Sequence, residues 1–390
     1  MHMRKTKTCK ISWTKQICYL FFIFCFIPFL FPNPIVKTNI QPYAAILGSI
    51  ILFLWGNKIK TIPAGSIWML ISSMTFLASV ILIFVNGITI NAFRAIYNYF
   101  ALFAIPCAVV VSLVLLDGIP ERLFKIMIML WFVVSTIQFF VYRGFATNLI
   151  SAVRWSFEYR GVVGLASEPS FLGISSFYFL HIVQRFKEKK IIYTILIIAM
   201  GTLYAQSAIG VLFIAGYYMV YLMDVINSKK GVAIWIGSII AAISFFILLN
   251  TKLSGTRLNQ MIGSLFTDGI SGVLSDASAG VRFNAIKGAL NRAFKNMLIP
   301  NGFNSRIGSG YGGLLVELGV LAIPIMTMIS IWMSKTFKRL FSQIIYFIVI
   351  TLLLFNNTQM GNPLLLLVIG INLFYLTDSV RVSVYNGAKV

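Results

Sequence analysis

Apolar residues occur along this chain in runs of membrane-spanning length, separated by short polar segments. A helix of about 20 residues crosses the roughly 30 Å hydrocarbon core of a bilayer, and it satisfies its own backbone hydrogen bonds there. The pattern therefore predicts an all-α, polytopic membrane protein in which residues 1–390 form a single integral membrane domain. The runs predict about twelve transmembrane helices, at 16–32, 42–56, 66–86, 97–116, 124–142, 161–183, 191–206, 208–225, 232–250, 311–333, 341–356 and 362–377.

Composition supports this class. The chain is 59% hydrophobic and only 11% charged, with a mean hydropathy of +0.89, which lies outside the range of soluble domains. The first run follows a basic stretch, as in a signal peptide, but no small-residue cleavage site precedes Pro32. We therefore expect a retained first helix. The four cysteines lie outside the predicted outer loops, so no disulfide framework is predicted.

The distribution of positive charge predicts the orientation. Short cytoplasmic loops of membrane proteins carry an excess of Lys and Arg. If the N-terminus is cytoplasmic, 20 of the 32 basic residues lie on the cytoplasmic side, so both termini are predicted there. The net charge of +22 is spread over seven cytoplasmic segments rather than gathered in one patch, so we expect no nucleic-acid partner.

The predicted outer side uses arginine rather than lysine. Eight of its 12 basic residues are Arg, compared with five of 20 on the predicted cytoplasmic side. Orientation requires only positive charge, whereas the planar guanidinium offers a fork of donors that fits phosphate or carboxylate. The selective use of arginine indicates anion binding on the outer side, with compositional chance as the alternative.

Two predicted outer segments carry most of these arginines. The first, 143–160, places Arg154, Glu158 and Arg160 at the membrane face, where they bind either a ligand or lipid headgroups. Its helix continues from Gly161, so Glu168 is expected eight residues into the helix, about 12 Å below the outer end. A carboxylate at such a depth is a functional candidate, beside a break caused by Pro169, although a structural pairing with an arginine is the alternative.

The second segment, 251–310, is the large outer loop. Its residues 276–298 have helical periodicity, with Ile286, Leu290, Ala293, Phe294 and Met297 on one arc. We expect an amphipathic helix lying along the outer membrane surface, with Arg282 and Arg292 on one flank of the arc, and lipid adhesion alone is the alternative.

Further candidates lie at the two ends of this loop. Arg257 lies near its start, and Arg306 lies in a glycine-rich turn whose backbone N–H groups suit an anion. Glu317 then follows inside the next apolar run, where an acid is costly.

Short motifs resemble a known family. GLASEPSFLG at 164–173, the loop with Arg282, then Pro300-Asn301-Gly302 and GLLVELG at 313–319, resemble O-antigen polymerases, the Wzy-type members of the O-antigen ligase and polymerase superfamily. The resemblance implies a metal-independent, cofactor-free GT-C-like glycosyltransferase of the bacterial inner membrane, with its active site facing the periplasm. It would join undecaprenyl-diphosphate-linked oligosaccharide repeat units into O-antigen polysaccharide during lipopolysaccharide biosynthesis, and a chain-length-determining co-polymerase is implied as a partner.

The resemblance also suggests roles for the candidate residues. Glu168 would be the first choice as the catalytic base that deprotonates the attacking hydroxyl, and Glu158 the second. Diphosphate or substrate binding would fall to Arg160, Arg282 and Arg292, supported by Arg154, Arg257, Arg306 and Glu317.

Two alternatives compete with the polymerase. An O-antigen ligase would have a His-Asn pair where this chain has Gly308 and Ser309, and both histidines, His2 and His181, are predicted at the cytoplasmic end. A transporter or flippase for lipid-linked oligosaccharide also suits twelve helices, but the two halves of the sequence show no repeat.

Overall fold

The computed structural model describes residues 13–30, 39–87, 89–154, 161–226, 237, 257–275, 277–303, 307–356 and 359–387. Within these ranges the chain is all-helical, as the apolar pattern predicted. Its extended pairing there is limited to an isolated bridge between Leu30 and Ile150.

Fourteen α-helices lie within the described ranges. They are Trp13–Phe26 (α1), Tyr43–Trp55 (α2), Pro63–Asn86 (α3), Ile90–Leu116 (α4), Glu121–Phe140 (α5), Pro169–Val183 (α6), Lys190–Ala199 (α7), Ala208–Val225 (α8), Arg257–Ser275 (α9), Ala277–Lys295 (α10), Gly310–Leu318 (α11), Ala322–Ser334 (α12), Leu340–Leu354 (α13) and Pro363–Gly387 (α14). Helix α7 continues as a π-helical turn, Met200–Tyr204, and α9 is kinked at Gly269. The ninth predicted span, 232–250, lies outside the described residues apart from position 237.

Five helical segments are long and apolar enough to cross a membrane. They are Pro63–Phe84, Asn91–Leu116, Glu121–Phe140, Ala208–Val225 and Gly310–Ser334. Shorter apolar helices accompany them at Trp13–Phe26, Pro169–Val183, Lys190–Tyr204, Leu340–Leu354 and Pro363–Tyr375. Length and apolar composition thus support a membrane protein.

Hydrogen bonds between loops define two ends of the helix bundle. At one end, Arg185 Nη2 donates to the carbonyl of Lys335 at 3.1 Å, and the Lys187 N–H donates to Glu121. We call this the lysine end, formed by the loops 56–62, 117–120, 184–189 and 335–339. At the other end, which we call the site end, the Val162 N–H donates to the carbonyl of Tyr204 at 2.8 Å.

Helix α6 is the core of the bundle, because all fifteen of its residues are buried. Phe26 of α1 stacks on its Phe179, and Trp131 of α5 meets the same ring edge-on. On another side a Cβ at Gly173 would lie 2.6 Å from the Cα of Gly210 in α8, so the two backbones touch. Close approach through small residues is a common way to pack helices in membranes.

The tenth predicted span, 311–333, is not one straight helix. The Tyr311 hydroxyl donates to the carbonyl of Met326 at 2.9 Å and lies 2.9 Å from Ser330 Oγ. In a straight helix residues 311 and 330 would be about 28 Å apart. The chain instead reverses after Leu318, where Gly319 has a φ of 57° and a Cβ would collide with the Leu298 carbonyl. Helix α11 is therefore a short helix that folds back against α12, so the segment Gly310–Ser334 is long enough to span a membrane by residue number and composition but is not one straight helix.

Candidate functional site

Glu168 lies at the head of α6, not inside a helix. Its backbone is extended, with φ −147° and ψ 154°, and Pro169 occupies the first helical position. The residue before a proline avoids the helical region, while proline itself suits the first turn. The prediction of a helix from Gly161 with Glu168 eight residues inside it is therefore wrong, because Pro169 starts the helix rather than breaking it.

The segment 161–167 that replaces the first two predicted turns is buried but not helical. Its backbone groups find partners among side chains and a neighbouring turn. Gln138 exchanges two hydrogen bonds with the N–H and carbonyl of Gly164, at 2.7 and 2.9 Å. Arg143 Nη2 donates to the Gly161 carbonyl at 3.1 Å. Irregular backbone at membrane depth is tolerated where protein groups satisfy it in this way.

This segment sets the depth of Glu168. Helix α6 has fifteen residues and is therefore about 22 Å long, compared with about 30 Å of hydrocarbon. If its C-terminal end lies at the lysine-end interface, its head lies below the opposite interface. The buried, non-helical segment 161–167 precedes Glu168 on that side of the bundle.

The Glu168 carboxylate contacts a cation and a hydroxyl. Arg154 Nη1 lies 3.4 Å from Oε1, and Ser170 Oγ donates to Oε2 at 3.0 Å. The Arg154 N–H also donates to the Ser167 carbonyl at 2.8 Å, which fixes the arginine backbone beside the acid. The glutamate side chain is 22% exposed and the arginine side chain 58% exposed. An acid and a guanidinium thus share one contact that a ligand can reach.

Glu317 lies near the end of α11 and contacts a tyrosine that the sequence analysis did not single out. The hydroxyl of Tyr99, in α4, donates to Glu317 Oε2 at 2.5 Å. Tyr99 is 1% exposed, and its ring lies 6.0 Å from that of Phe303. Among the described side chains no cation forms an ion pair with Glu317. Its carboxylate is therefore an acceptor whose partner in the structure is a phenol rather than a cation, and its predicted role in substrate binding stays a prediction.

The arginines of the large loop lie on α10, which packs along α11 rather than alone on a surface. A Cβ at Gly312 would lie 2.8 Å from Cβ of Ala289, and one at Gly308 lies 3.7 Å from Cβ of Ala285. Ala289 lies in this contact, and both Ala289 and Ala293 are buried. Of the arc predicted to face lipid, Ala293 thus faces protein instead.

The two arginines differ in their surroundings on that helix. Arg282 is half-buried and Arg292 is exposed in the last turn. They are ten residues apart, which corresponds to about 15 Å along the axis and about 80° around it. By helical geometry Arg282 shares the face of Ala289 that turns toward α11, whereas Phe294, at 64% exposure, projects from another side. Met297, at 86% exposure, lies beyond the end of the helix.

The other predicted site residues lie outside the part of the chain that the structure describes. They are Glu158, Arg160 and Arg306, together with the side chain of Arg257 at the start of α9.

Gln138, Arg143 and Tyr99 are the polar residues that sequence reasoning missed. Gln138 lay within a predicted span, and an amide at such a position is a usable signal because it needs partners in lipid. Nothing local marks Tyr99, since its role depends on a contact 218 positions away. Within the described ranges no three or more His, Cys, Asp or Glu side chains cluster as a metal site.

Comparison of this chain with protein-family models, with curated proteins and with solved structures gave no match.

Proposed function

We propose that this protein is an O-antigen polymerase of the Wzy type, a periplasmic glycosyltransferase acting on undecaprenyl-diphosphate-linked oligosaccharides. The observation that carries the proposal is the reachable contact between Glu168 and Arg154 at the head of a buried helix. It lies at the end of the bundle opposite the lysine-rich loops, which is the periplasmic end under the positive-inside rule.

The pair suits transfer of a sugar chain from a lipid diphosphate. A hydroxyl of the incoming repeat unit attacks the anomeric carbon of the growing chain. A new C–O bond forms while the bond to the diphosphate breaks, and Glu168 takes the hydroxyl proton. Negative charge grows on the departing undecaprenyl diphosphate, and guanidinium groups stabilise it, with Arg154 in contact with the acid and Arg282 supplied by helix α10 of the large loop.

The polymerase assay uses the purified full chain and lipid-linked repeat units alone. We expect a ladder of chain lengths from the parent protein and a loss of at least about 100-fold in the rate for Glu168→Gln, the range for removing a general base. Glu188→Gln is the matched control, because Glu188 is exposed at the lysine end. Ladders of normal length and rate from Glu168→Gln would contradict the proposal.

A second substitution tests the guanidinium. Arg282→Lys keeps the positive charge and loses the bidentate fork, so we expect weaker binding of the lipid-diphosphate substrate, seen as a higher KM. Arg122→Lys is the control, since Arg122 is exposed at the opposite end. An unchanged KM in Arg282→Lys would argue against specific diphosphate binding at this residue.

A transporter for lipid-linked oligosaccharide is the second candidate, and one observation favours it. Broken helices whose ends lie inside the protein are common at transporter binding sites, and α11 folds back against α12 in this manner. The same assay separates the two, because a transporter forms no new glycosidic bond, whereas a ligase would additionally need a lipid A core acceptor.

A further inference from the structure

A cavity at the lysine end has no part in the proposed reaction. It has a volume of about 450 Å³, within the range of small-molecule pockets. Its wall includes Val114 and Asp117 from the end of α4, Glu121 from the start of α5, Arg185 and Lys187 from the loop after α6, and Tyr375 from α14.

Arg185 in the cavity wall carries a positive charge that is not balanced by an ion pair within the described chain. Nη2 donates to the Lys335 carbonyl at 3.1 Å and to Asn372 Oδ1 at 2.8 Å, and the guanidinium lies over the ring of Tyr375. Its Nε is buried without a hydrogen-bond partner, and no carboxylate among the described residues pairs with it. Burial lowers the pKa of the guanidinium, because the charged form loses water. Arginine keeps its proton in proteins, so an anion is the natural partner.

The two acids in the cavity wall differ in whether their carboxylates form ion pairs within the described chain. Glu121 pairs with Lys125 at 2.5 Å and accepts the Lys187 N–H at 3.1 Å, so its charge is used within the protein. Asp117 is exposed, ends α4 in the left-handed conformation, and forms no ion pair within the described chain. The cavity therefore offers two cations for an anion and one acid for a cation.

We propose that this cavity binds the headgroup of a phosphatidylethanolamine, with its phosphate against Arg185 and Lys187 and its ammonium group against Asp117. The wall carries the cations Arg185 and Lys187 and the acid Asp117, so a ligand with both a phosphate and an ammonium group matches its charges. A primary ammonium donates hydrogen bonds to a carboxylate, which a quaternary choline does not. The apolar side chains of Leu113, Val114 and Phe374 in the wall suit the glycerol and the first acyl carbons. Basic cavities between helices on the cytoplasmic side are known to bind lipid headgroups.

The test measures which lipid stays bound. The full chain is purified from nanodiscs that contain equal amounts of phosphatidylethanolamine, phosphatidylcholine and phosphatidylglycerol, and retained lipid is counted by native mass spectrometry. We expect about tenfold preferential retention of phosphatidylethanolamine, the size of effect that one additional charge-assisted hydrogen bond gives. Equal retention of the three lipids would overturn the proposal.

Three variants localise the site. Val114→Phe fills the cavity without changing a charge and should abolish the preference, as should Arg185→Gln. Asp117→Asn should remove the preference for phosphatidylethanolamine over phosphatidylglycerol while leaving lipid bound. Arg122→Gln removes an exposed cation at the same end that does not line the cavity, and should change nothing.

Two outcomes would refute the binding of phosphatidylethanolamine in this cavity. If Val114→Phe, folded as judged by its thermal transition, retains phosphatidylethanolamine like the parent, the lipid binds elsewhere. If soluble glycerophosphoethanolamine displaces the lipid at equal concentration, the cavity serves a soluble phosphoester instead. Failure of the lipid test leaves the polymerase assay untouched, since that assay concerns the other end of the bundle.

Discussion

Single polar side chains at the site end are held by contacts that reach across the chain. The bond from Tyr99 to Glu317 links α4 to the short helix α11, and the bond from Arg154 to Glu168 links a loop to the head of α6. In the first pair Tyr99 is only 1% exposed, whereas in the second the Arg154 side chain is 58% exposed. The two acids are therefore expected to respond differently to substitution. Substitution of Glu317 should lower the stability of the protein, and substitution of Glu168 should lower its activity.

Tyr99→Phe is expected to lower the stability of the protein. The change removes one hydroxyl and leaves the Glu317 carboxylate without its donor, which costs about 1–3 kcal/mol for a buried group. Glu317→Gln keeps a partner for the hydroxyl and should cost less. Thermal unfolding of both single variants and the double variant in detergent measures the coupling. Additive effects would show that the bond contributes nothing, since contacting partners show interaction energies of about 0.5–3 kcal/mol.

At the scale of helices, glycines decide how closely elements approach. Gly173→Ala in α6 would ordinarily improve helix propensity by up to about 1 kcal/mol. Here the new methyl group would lie 2.6 Å from the Cα of Gly210, against backbone that cannot rotate away. We expect a net destabilisation of about 1–3 kcal/mol, the usual cost of overpacking. Gly288→Ala in α10 is the control, because no atom lies within 4 Å of its Cβ position, and it should be neutral or stabilising. Equal melting temperatures for the two variants would contradict the α6 to α8 contact.

The packing of α10 on the segment before α11 has a covalent test. Cβ atoms at Ala285 and Gly308 are 3.7 Å apart, which is within the range of a disulfide. In a chain whose native cysteines are replaced by serine, Ala285→Cys with Gly308→Cys should cross-link under mild oxidation, seen as an intramolecular disulfide by mass spectrometry. Gly288→Cys with Gly308→Cys should not. A helix lying by itself on the membrane surface would cross-link neither pair.

Helices could be predicted from the sequence where apolar runs are uninterrupted, and their detailed course could not. The boundary near Gln206 is confirmed, because α7 and its π-helical turn end at Tyr204 and α8 begins at Ala208. The start of α4 at Ile90 rather than 97 was missed, since Asn91 and Arg94 lower the apolar content of its first turns. The fold-back of α11 was missed because a hairpin and a straight span have the same composition. Only the contact between Tyr311 and Ser330, nineteen residues apart, distinguishes the two.

At the scale of the whole molecule, the bundle places lysine-rich loops at one end and the acid–arginine contact at the other. The distribution of Lys and Arg along the sequence predicted this division, but the spatial grouping of the loops depends on long-range bonds such as that from Arg185 to Lys335. The assignment of the lysine end to the cytoplasm remains a prediction from charge. It decides whether Glu168 can meet substrates in the periplasm.

Labelling of single cysteines from one side of the membrane tests this assignment. Asn148 is exposed at the site end and Glu188 at the lysine end, so each accepts a cysteine at little cost to folding. In spheroplasts carrying a chain otherwise free of cysteine, a membrane-impermeant maleimide should label Asn148→Cys before lysis and Glu188→Cys only after lysis. The positive charge of the loops 184–189 and 335–339 is the physical reason, because their translocation is disfavoured. Labelling of Glu188→Cys in intact spheroplasts would place the lysine end outside. In that case Glu168 would face the cytoplasm and could not act as the base of a periplasmic polymerase.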